Sequence, residues 1–375
     1  AEALVDPPLG GSAVLPFSPA SLCNNSGVKT SDFDYHLPQL LIAQTPAEPR
    51  DSSRLMLVSC SDGSLTHKTF RDLPQFLKAG DVMVFNDSRV MPARLYGTRA
   101  TGGKIELLLL NRLSPGRWQA LVRPGRRMQP GVEFQVNDKS GNTVITGEIL
   151  EAEADGTRIV TLSDDERLDD VGIMPLPPYI HAPLADSERY QTVYSNTKGS
   201  VAAPTAGLHF TPELLDDIRA LGVETAFVTL HVGWDSFRPI KTDDIASHKM
   251  HSEHFCIDEG TAWIINQAKA EGRRVISVGT TATRLLEHAA SLFEESNPGE
   301  EGVLAASDGW ADIFITPGYR FRVVDALVTN FHLPKSTLLM LTSALAGKEL
   351  LFKAYQEAVD QQYRFYSFGD SMFLF

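Results

Sequence analysis

Two rhythms of apolar and polar positions divide this chain. Between residues 97 and 172, short apolar runs at 105–110, 118–122 and 159–162 alternate with turn signals at Gly102-Gly103, Pro115-Gly116 and Ser140-Gly-Asn142. No helical period interrupts them, and many short strands at regular spacing predict a small all-β barrel or sandwich. On either side the rhythm changes. Strand-like runs at 55–59 and 81–85 come first, and beyond the proline cluster Pro175-Leu-Pro-Pro178 helical and extended segments take turns. Thr211 reads as an N-cap, with Pro212 and Glu213 in the first turn and Gly222 as the stop. Asp258 caps a second helix that ends at Gly272. Further helices are predicted over 281–293, 336–346 and 349–361. Strands are predicted at 223–230, 275–278, 313–315 and 324–329, with a last extended segment rich in Tyr and Phe. The fold class that follows is α/β: a discontinuous mixed α/β domain, residues 32–96 and 173–375, carrying an inserted all-β barrel domain at 97–172. Residues 1–31, rich in Pro, Ser, Gly and Asn, read as a loose N-terminal tail without the features of a secretory signal.

Composition narrows the class. The chain has 375 residues, 43% apolar and 22% charged, which suits a soluble protein of two domains. No apolar run approaches the ~18 residues of a membrane span, so no membrane partner is expected. Cys23, Cys60 and Cys256 are too scattered for a disulfide framework or a zinc ribbon, and a cytoplasmic protein is the expectation. A net charge of -13 argues against indiscriminate nucleic-acid binding. It leaves room for local basic patches, of which Arg123-Pro-Gly-Arg-Arg127 is the densest.

Candidate chemistry gathers at four polar, glycine-rich junctions between apolar runs and helices. They are Pro204-Thr-Ala-Gly-Leu-His209, His231-Val-Gly-Trp-Asp235, Gly279-Thr-Thr-Ala-Thr-Arg284 and Asn330-Phe-His-Leu-Pro-Lys335. Open α/β sheets bind ligands beyond the carboxyl ends of their strands, so four such junctions predict one composite site. The turn at 279–283 joins a strand directly to a helix, where free N–H groups and hydroxyls suit a carboxylate or phosphate, with Arg284 placed to clamp it. His209 and His332 can each serve as a general base, because imidazole titrates near neutral pH. His248, His251 and His254 at spacing three raise a metal site, against which stands their drift around a helix or across a strand. Glu253 between them offers a carboxylate to a cationic ligand. Aromatics interleaved with Arg364 and Asp370 suit an adenine or a sulfonium.

These stretches resemble the S-adenosylmethionine:tRNA ribosyltransferase-isomerase family of queuosine biosynthesis. The resemblance runs from about Asp32 to Phe375 and is carried by Phe85-Asn-Asp-Ser-Arg-Val-Met-Pro-Ala-Arg-Leu95, Met174-Pro-Leu-Pro-Pro-Tyr179, Tyr190-Gln-Thr-Val-Tyr-Ser195, Ala203-Pro-Thr-Ala-Gly-Leu-His-Phe210, Thr229-Leu-His-Val-Gly233, Val324-Asp-Ala-Leu-Val-Thr-Asn-Phe-His-Leu-Pro334 and Tyr363-Arg-Phe. It implies an α/β domain with an inserted β-barrel, matching the rhythm above. It also implies transfer and isomerisation of the ribosyl moiety of S-adenosylmethionine onto 7-aminomethyl-7-deazaguanine at the tRNA wobble position. Epoxyqueuosine-tRNA forms, and adenine and methionine are released. S-adenosylmethionine is then a consumed substrate, with no cofactor and no metal, and a monomer is expected.

On that reading His209 or His332 is the base, and Thr205 and Asn330 orient ribose or base. Gly279, Thr280, Thr281 and Arg284 hold the methionine carboxylate, and Glu253 or Asp370 faces the cationic sulfur or the amine. Gly207, His231 and Arg364 complete the substrate contacts. Arg89, Arg94, Lys104, Arg123, Arg126 and Arg127 are the tRNA-binding candidates. Two departures stand out: Asp235 where relatives usually carry glycine, and Ala282 where serine is common. The tail before Asp32 also lacks a counterpart. The competing readings are a metal-dependent hydrolase built on His248, His251 and His254, a noncatalytic RNA-binding protein of the same fold, and ordinary methyl transfer.

Overall fold

A computed structural model describes residues 28–138, 140–233, 240 and 242–375 of the chain. At the start, β1 (Arg54–Val58), β2 (Leu65–Thr69) and β3 (Val82–Asn86) belong to the main sheet, and β4 (Ser88–Val90) leads away from it. The next six strands are β5 (Arg94–Arg99), β6 (Lys104–Ser114), β7 (Arg117–Arg123), β8 (Glu133–Asn137), β9 (Thr143–Ala152) and β10 (Arg158–Leu162). They pair antiparallel and close into a barrel in the order β10-β7-β6-β5-β8-β9. Alternation fills it: Trp118, Ala120 and Val122 of β7 and Phe134 and Val136 of β8 point inward. Closure leaves these strands no free edge. The Arg94 N–H donates to the Ile173 carbonyl at 3.1 Å and the Arg94 carbonyl accepts the Ile173 N–H at 2.8 Å, so the chain enters and leaves the barrel at one point.

After α1 (Leu168–Val171) and β11 (Thr197–Ser200), the parallel partner of β4, come α2 (Pro212–Ala220), β12 (Glu224–Leu230) and β13 (Glu253–Ile257). Then α3 (Glu259–Ala270), β14 (Val275–Val278), α4 (Thr280–Ser296), β15 (Ser307–Ala311) and β16 (Ala326–Asn330) follow. Last are α5 (Thr337–Ala346), α6 (Lys348–Asp360) and β17 (Ser371–Leu374). The main sheet has the order β15-β13-β12-β3-β14-β16-β17-β1-β2. At its centre β12, β3, β14 and β16 are mutually parallel. On β3, Val82 and Val84 face α3 and α4, while Met83 and Phe85 face α2. Both faces are covered, which is why this strand reads as a continuous apolar run instead of an alternation.

Local signals hold where predicted. The Thr211 side chain accepts the Leu214 N–H at 3.1 Å, Asp258 accepts that of Thr261 at 2.6 Å, and Gly222 takes φ of 81° at the end of α2. Residues 313–315 differ from expectation and form no strand. Ile315 is buried beside α5 and α6 without joining a ladder, so its apolarity marks core and not pairing. The strand that does form, β15, reads Ser-Asp-Gly-Trp-Ala; as an edge strand it is paired on one side only, and its sequence carries no apolar period. The start of the expected tail is also ordered in part: Thr30 is buried and its hydroxyl donates to the Thr242 carbonyl at 2.7 Å. Residues 1–27, including Cys23, lie outside the described residues. No helix among the described residues is long and apolar enough to cross a membrane.

One side chain fixes how β3 meets β12 beyond the end of their ladder. Buried Asn86 donates to the Leu230 carbonyl at 2.9 Å, and its Oδ1 accepts the N–H groups of Leu230 at 3.1 Å and Ser88 at 3.0 Å. Removing it strands buried backbone donors and an acceptor, so Asn86→Ala is expected to lower unfolding free energy by about 3 kcal/mol. Urea denaturation measures this, and a shift under about 0.5 kcal/mol would contradict the role.

Candidate functional site

Parallel pairing sends the carboxyl ends of β12, β3, β14 and β16 to one edge of the sheet. The neighbouring β17 is antiparallel to β16 and β1 is parallel to β17, so their amino ends reach the same edge. A cavity opens there, and all four junctions reach it. Pro204, Thr205 and Ala206 come from the first, Val232 from the second, Gly279, Thr280, Thr281 and Arg284 from the third, and residues 330–334 from the fourth. Tyr179, Tyr366 and Ser367 close its flank. Residues 234–239, which include Trp234 and Asp235 of the second junction, lie outside the described residues.

One end of the cavity is built for an anion. Gly279 takes φ of 91° and turns the chain from β14 straight into α4, whose N-terminus has no side-chain cap. The first-turn amides and the positive end of the helix dipole therefore face the cavity. Arg284, with a side chain only 6% exposed, is ion-paired through Nη1 to Glu253, itself 5% exposed. Its Nε and Nη2 are buried and have no hydrogen-bond partner among the described residues. Those two nitrogens form one edge of the guanidinium, the fork that binds a carboxylate bidentately. Glu253 Oε1 accepts the Gly233 N–H at 2.9 Å. Ala282, with no exposed surface, packs in the core and adds no hydroxyl to this turn.

The histidines divide. His332 lines the cavity, with Nε2 at 2.8 Å from Thr329 Oγ1 and its backbone N–H donated to the Tyr355 hydroxyl at 2.8 Å. Burial pushes its pKa from the ordinary 6.5 down to about 3. His209 is not a lining residue. Its ring stacks on Phe70 at 4.9 Å, Nδ1 meets Ser53 Oγ at 2.7 Å, and Nε2 accepts from Asn330 Nδ2 at 3.1 Å. Burial, and then the positive charges of Arg364 and Arg50, bring its pKa down to about 3 as well. Asn330 Oδ1 in turn accepts from Thr205 Oγ1 at 3.2 Å. Ser53, His209, Asn330 and Thr205 thus form a chain that ends at the cavity wall.

Other expected site residues sit elsewhere. Gly207 is packed under Tyr194, whose hydroxyl a Cβ there would meet at 1.9 Å. His231 points into a second cleft, where it stacks with His254 at 5.9 Å. Asp370 does not line the cavity; its carboxylate accepts the backbone N–H groups of Arg54 at 2.9 Å and Arg364 at 2.8 Å, and burial raises its pKa. Glu253 lies behind Arg284 instead of lining the cavity. The Arg364 guanidinium bonds the Thr45 carbonyl. Among the described residues no group of three or more His, Cys, Asp or Glu is arranged to hold a metal ion. His248 and His251 precede β13 while His254 lies within it, with His248 against Phe314 and His254 against Asp308 and Trp310. The hydrolase reading therefore loses its ligand set.

The basic candidates also separate. Arg89 is paired with Glu188 and Arg94 with Glu106. Lys104, Arg123, Arg126 and Arg127 are exposed on the barrel. Buried Arg158 braces the turn that carries the last two, donating to the carbonyls of Met128 at 2.8 Å and Gly125 at 3.1 Å. Sequence reasoning missed Ser53, Thr329 and Tyr366 as site residues. Tyr366 carried a signal as part of the terminal aromatic stretch and Thr329 as part of the 324–334 motif, whereas Ser53 carried none.

Comparison with known proteins identifies the family. The family model described as queuosine biosynthesis protein matches residues 30–374. An S-adenosylmethionine:tRNA ribosyltransferase-isomerase of Dehalococcoides mccartyi strain CBDB1 is 52% identical, over 92% of this chain and 100% of its own. One from Clostridioides difficile strain 630 is 51% identical over the same shares. The crystal structure of S-adenosylmethionine tRNA ribosyltransferase from Thermotoga maritima is 37% identical, covers 92% of this chain and all of that one, and superposes with a TM-score of 0.51. A match spanning both the barrel and the sheet, motifs included, makes this chain a member of the queuosine biosynthesis protein family.

Proposed function

We propose that this chain transfers and isomerises the ribosyl moiety of S-adenosylmethionine onto 7-aminomethyl-7-deazaguanine at the wobble position of tRNA, releasing adenine and methionine. The observation that carries the reading is the open Nε–Nη2 edge of buried Arg284 beside the uncapped start of α4, in a chain that belongs to this family. Together they supply two donors and a positive dipole end to the methionine carboxylate. Glu253 holds the guanidinium from behind and limits the charge left in a dry site.

The chemistry assigns the remaining parts. The sulfonium acidifies the adjacent ribose carbon, and His332 removes a proton there to leave an ylide. Burial keeps this imidazole in its proton-free form at neutral pH. Once protonated it is a strong acid, so the same ring hands its proton to adenine as the glycosidic bond breaks. The arm's amine then bonds to the anomeric carbon and gives up a proton to solvent. The ylide carbon bonds to that same carbon as its bond to the ring oxygen breaks, which closes the new carbocycle. The freed oxygen displaces methionine from the former ylide carbon to form the epoxide, methionine leaving with the C–S bonding pair. His209 accepts from Asn330 and so fixes which way that amide presents its oxygen to Thr205. We assign it to positioning, with Thr205 and Asn330 orienting the ribose. S-adenosylmethionine is consumed and no metal or redox cofactor enters these steps. The exposed Arg123, Arg126 and Arg127 are the phosphate contacts, with Lys104 on the same barrel.

Turnover with S-adenosylmethionine and tRNA carrying the aminomethyl base, read as adenine and methionine release, tests the reading directly. His332→Asn is expected to slow adenine release on the order of 10² to 10⁴-fold, and unchanged release would remove it as the base. Arg284→Lys keeps the charge and loses the fork; the expected result is a KM for S-adenosylmethionine raised roughly tenfold. The pH profile carries a sign. A histidine depressed to about 3 stays proton-free through the range where an ordinary imidazole at 6.5 titrates, so single-turnover rate is expected to hold level from neutral down to about pH 5. Stability behaves differently: the unfolded chain binds the extra protons at His209 and His332, so unfolding free energy drops as pH falls below 6.5 toward about 3. An acid limb in the rate near 6.5 with stability unchanged would contradict both statements. Replacing Arg123, Arg126 and Arg127 with alanine is expected to flatten the salt dependence of tRNA binding between ~50 and ~200 mM.

A further inference from the structure

We propose that the second cleft, between barrel and main sheet, seats an unpaired base of the RNA substrate stacked on Trp310. The inference rests on the reading of function above and extends it to a residue and a place. Leu110, Arg112 and Trp118 of the barrel face His231, His254 and Trp310 of the sheet side across this cleft. Trp310 is 56% exposed on β15, the outermost strand of the sheet. Its ring meets His254 edge-on at 5.4 Å, and His254 lies within 17° of parallel to His231. Three rings thus make a shelf whose outer member presents an open indole. Splayed bases of single-stranded RNA stack on such surfaces, since every base has a π-face.

Position favours this occupant. Lys198 and Gly199 line the cleft while Ala203 and Pro204 line the reaction cavity; His231 lines the one and Val232 the other. These two segments are bonded side by side, Val201 N–H to the Val232 carbonyl at 3.0 Å and Val232 N–H to Ser200 Oγ at 3.0 Å. The two spaces therefore share these two segments as lining. A nucleotide next to the one undergoing reaction falls beside the shelf.

Charge decides which part of that nucleotide enters. Arg112 is paired with Asp165 and Lys198 with Asp169, and Glu166 adds a further carboxylate to the lining. Asp308 bonds His254 at 3.1 Å from the same side. A phosphate is repelled here, whereas the ring amines of a base find acceptors. The buried Nδ1 of His231, which has no hydrogen-bond partner among the described residues, is a further polar atom in the same wall.

The test measures steady-state turnover of an anticodon stem-loop RNA carrying the aminomethyl base, by the unaltered chain and by Trp310→Ala and Trp310→Phe. Two further RNAs lack the base immediately 5′ or 3′ of the wobble position. Trp310→Ala is expected to raise KM for the RNA about tenfold or more, with KM for S-adenosylmethionine unchanged and Trp310→Phe close to the unaltered chain. One of the two abasic RNAs should show the same loss with the unaltered chain and no additional loss with Trp310→Ala. An unchanged RNA KM, fully additive losses, or an equal rise in both KM values overturns the stacking. Failure of the unaltered chain to turn over any of these RNAs overturns the reading of function, and this inference with it.

Discussion

The direction of four strands governs the rest of this structure. Because β12, β3, β14 and β16 pair in parallel, each must hand the chain to its next segment at the same edge of the sheet. The two antiparallel neighbours then bring amino ends to that edge, which is how Ser53, before β1, and the 366–370 turn, before β17, meet the four junctions. Residues more than 300 positions apart meet there, as where the Arg54 backbone N–H donates to the Asp370 carboxylate. Backbone pairing creates the site, and side chains specialise it.

Specialisation takes the form of buried groups left partly unsatisfied. Arg284 has one nitrogen tied to Glu253 and two with no partner among the described residues, an arrangement that costs stability unless a ligand supplies the missing acceptor. The two histidines follow the same logic with protons. Each is held neutral by burial, one against the cavity and one behind it. His209 has both ring nitrogens occupied and stacks on Phe70, so it serves as framework for Asn330, while His332 retains a face toward the reacting space.

The inserted barrel contributes a second wall without touching the first cavity. Its entry and exit are clamped together by the reciprocal bonds of Arg94 and Ile173, which fixes the barrel against the sheet edge near β4 and β11. That clamp is what leaves a cleft between Trp118 and Trp310. The exposed arginines lie at the end of β7 (Arg123) and in the 125–127 turn after it (Arg126 and Arg127), at the opposite end of the strand from Trp118, so the basic surface is separate from the cleft.

Much was legible because it is local. Caps at Thr211 and Asp258, the stop at Gly222, the turn rhythm of the barrel and the glycine at the start of α4 each act within a few residues, so sequence spacing expresses them directly. The convergence of the four junctions followed from the α/β alternation, and the long motifs carried the family. Side-chain partners lay beyond reach. Nothing near Ser53 signals His209, 156 positions on, and nothing in the histidine spacing shows that His254 stacks with His231 and bonds Asp308. Glu253 could be read as a carboxylate for a cation, yet the cation it faces is Arg284, because β13 and α4 bring the two together in the dry interior. The sequence by itself determined the elements, their order and the reaction family, since propensity and pattern act along the chain. Which polar groups are paired, neutral or open to a ligand was decided only by tertiary structure, since burial and distance act through space.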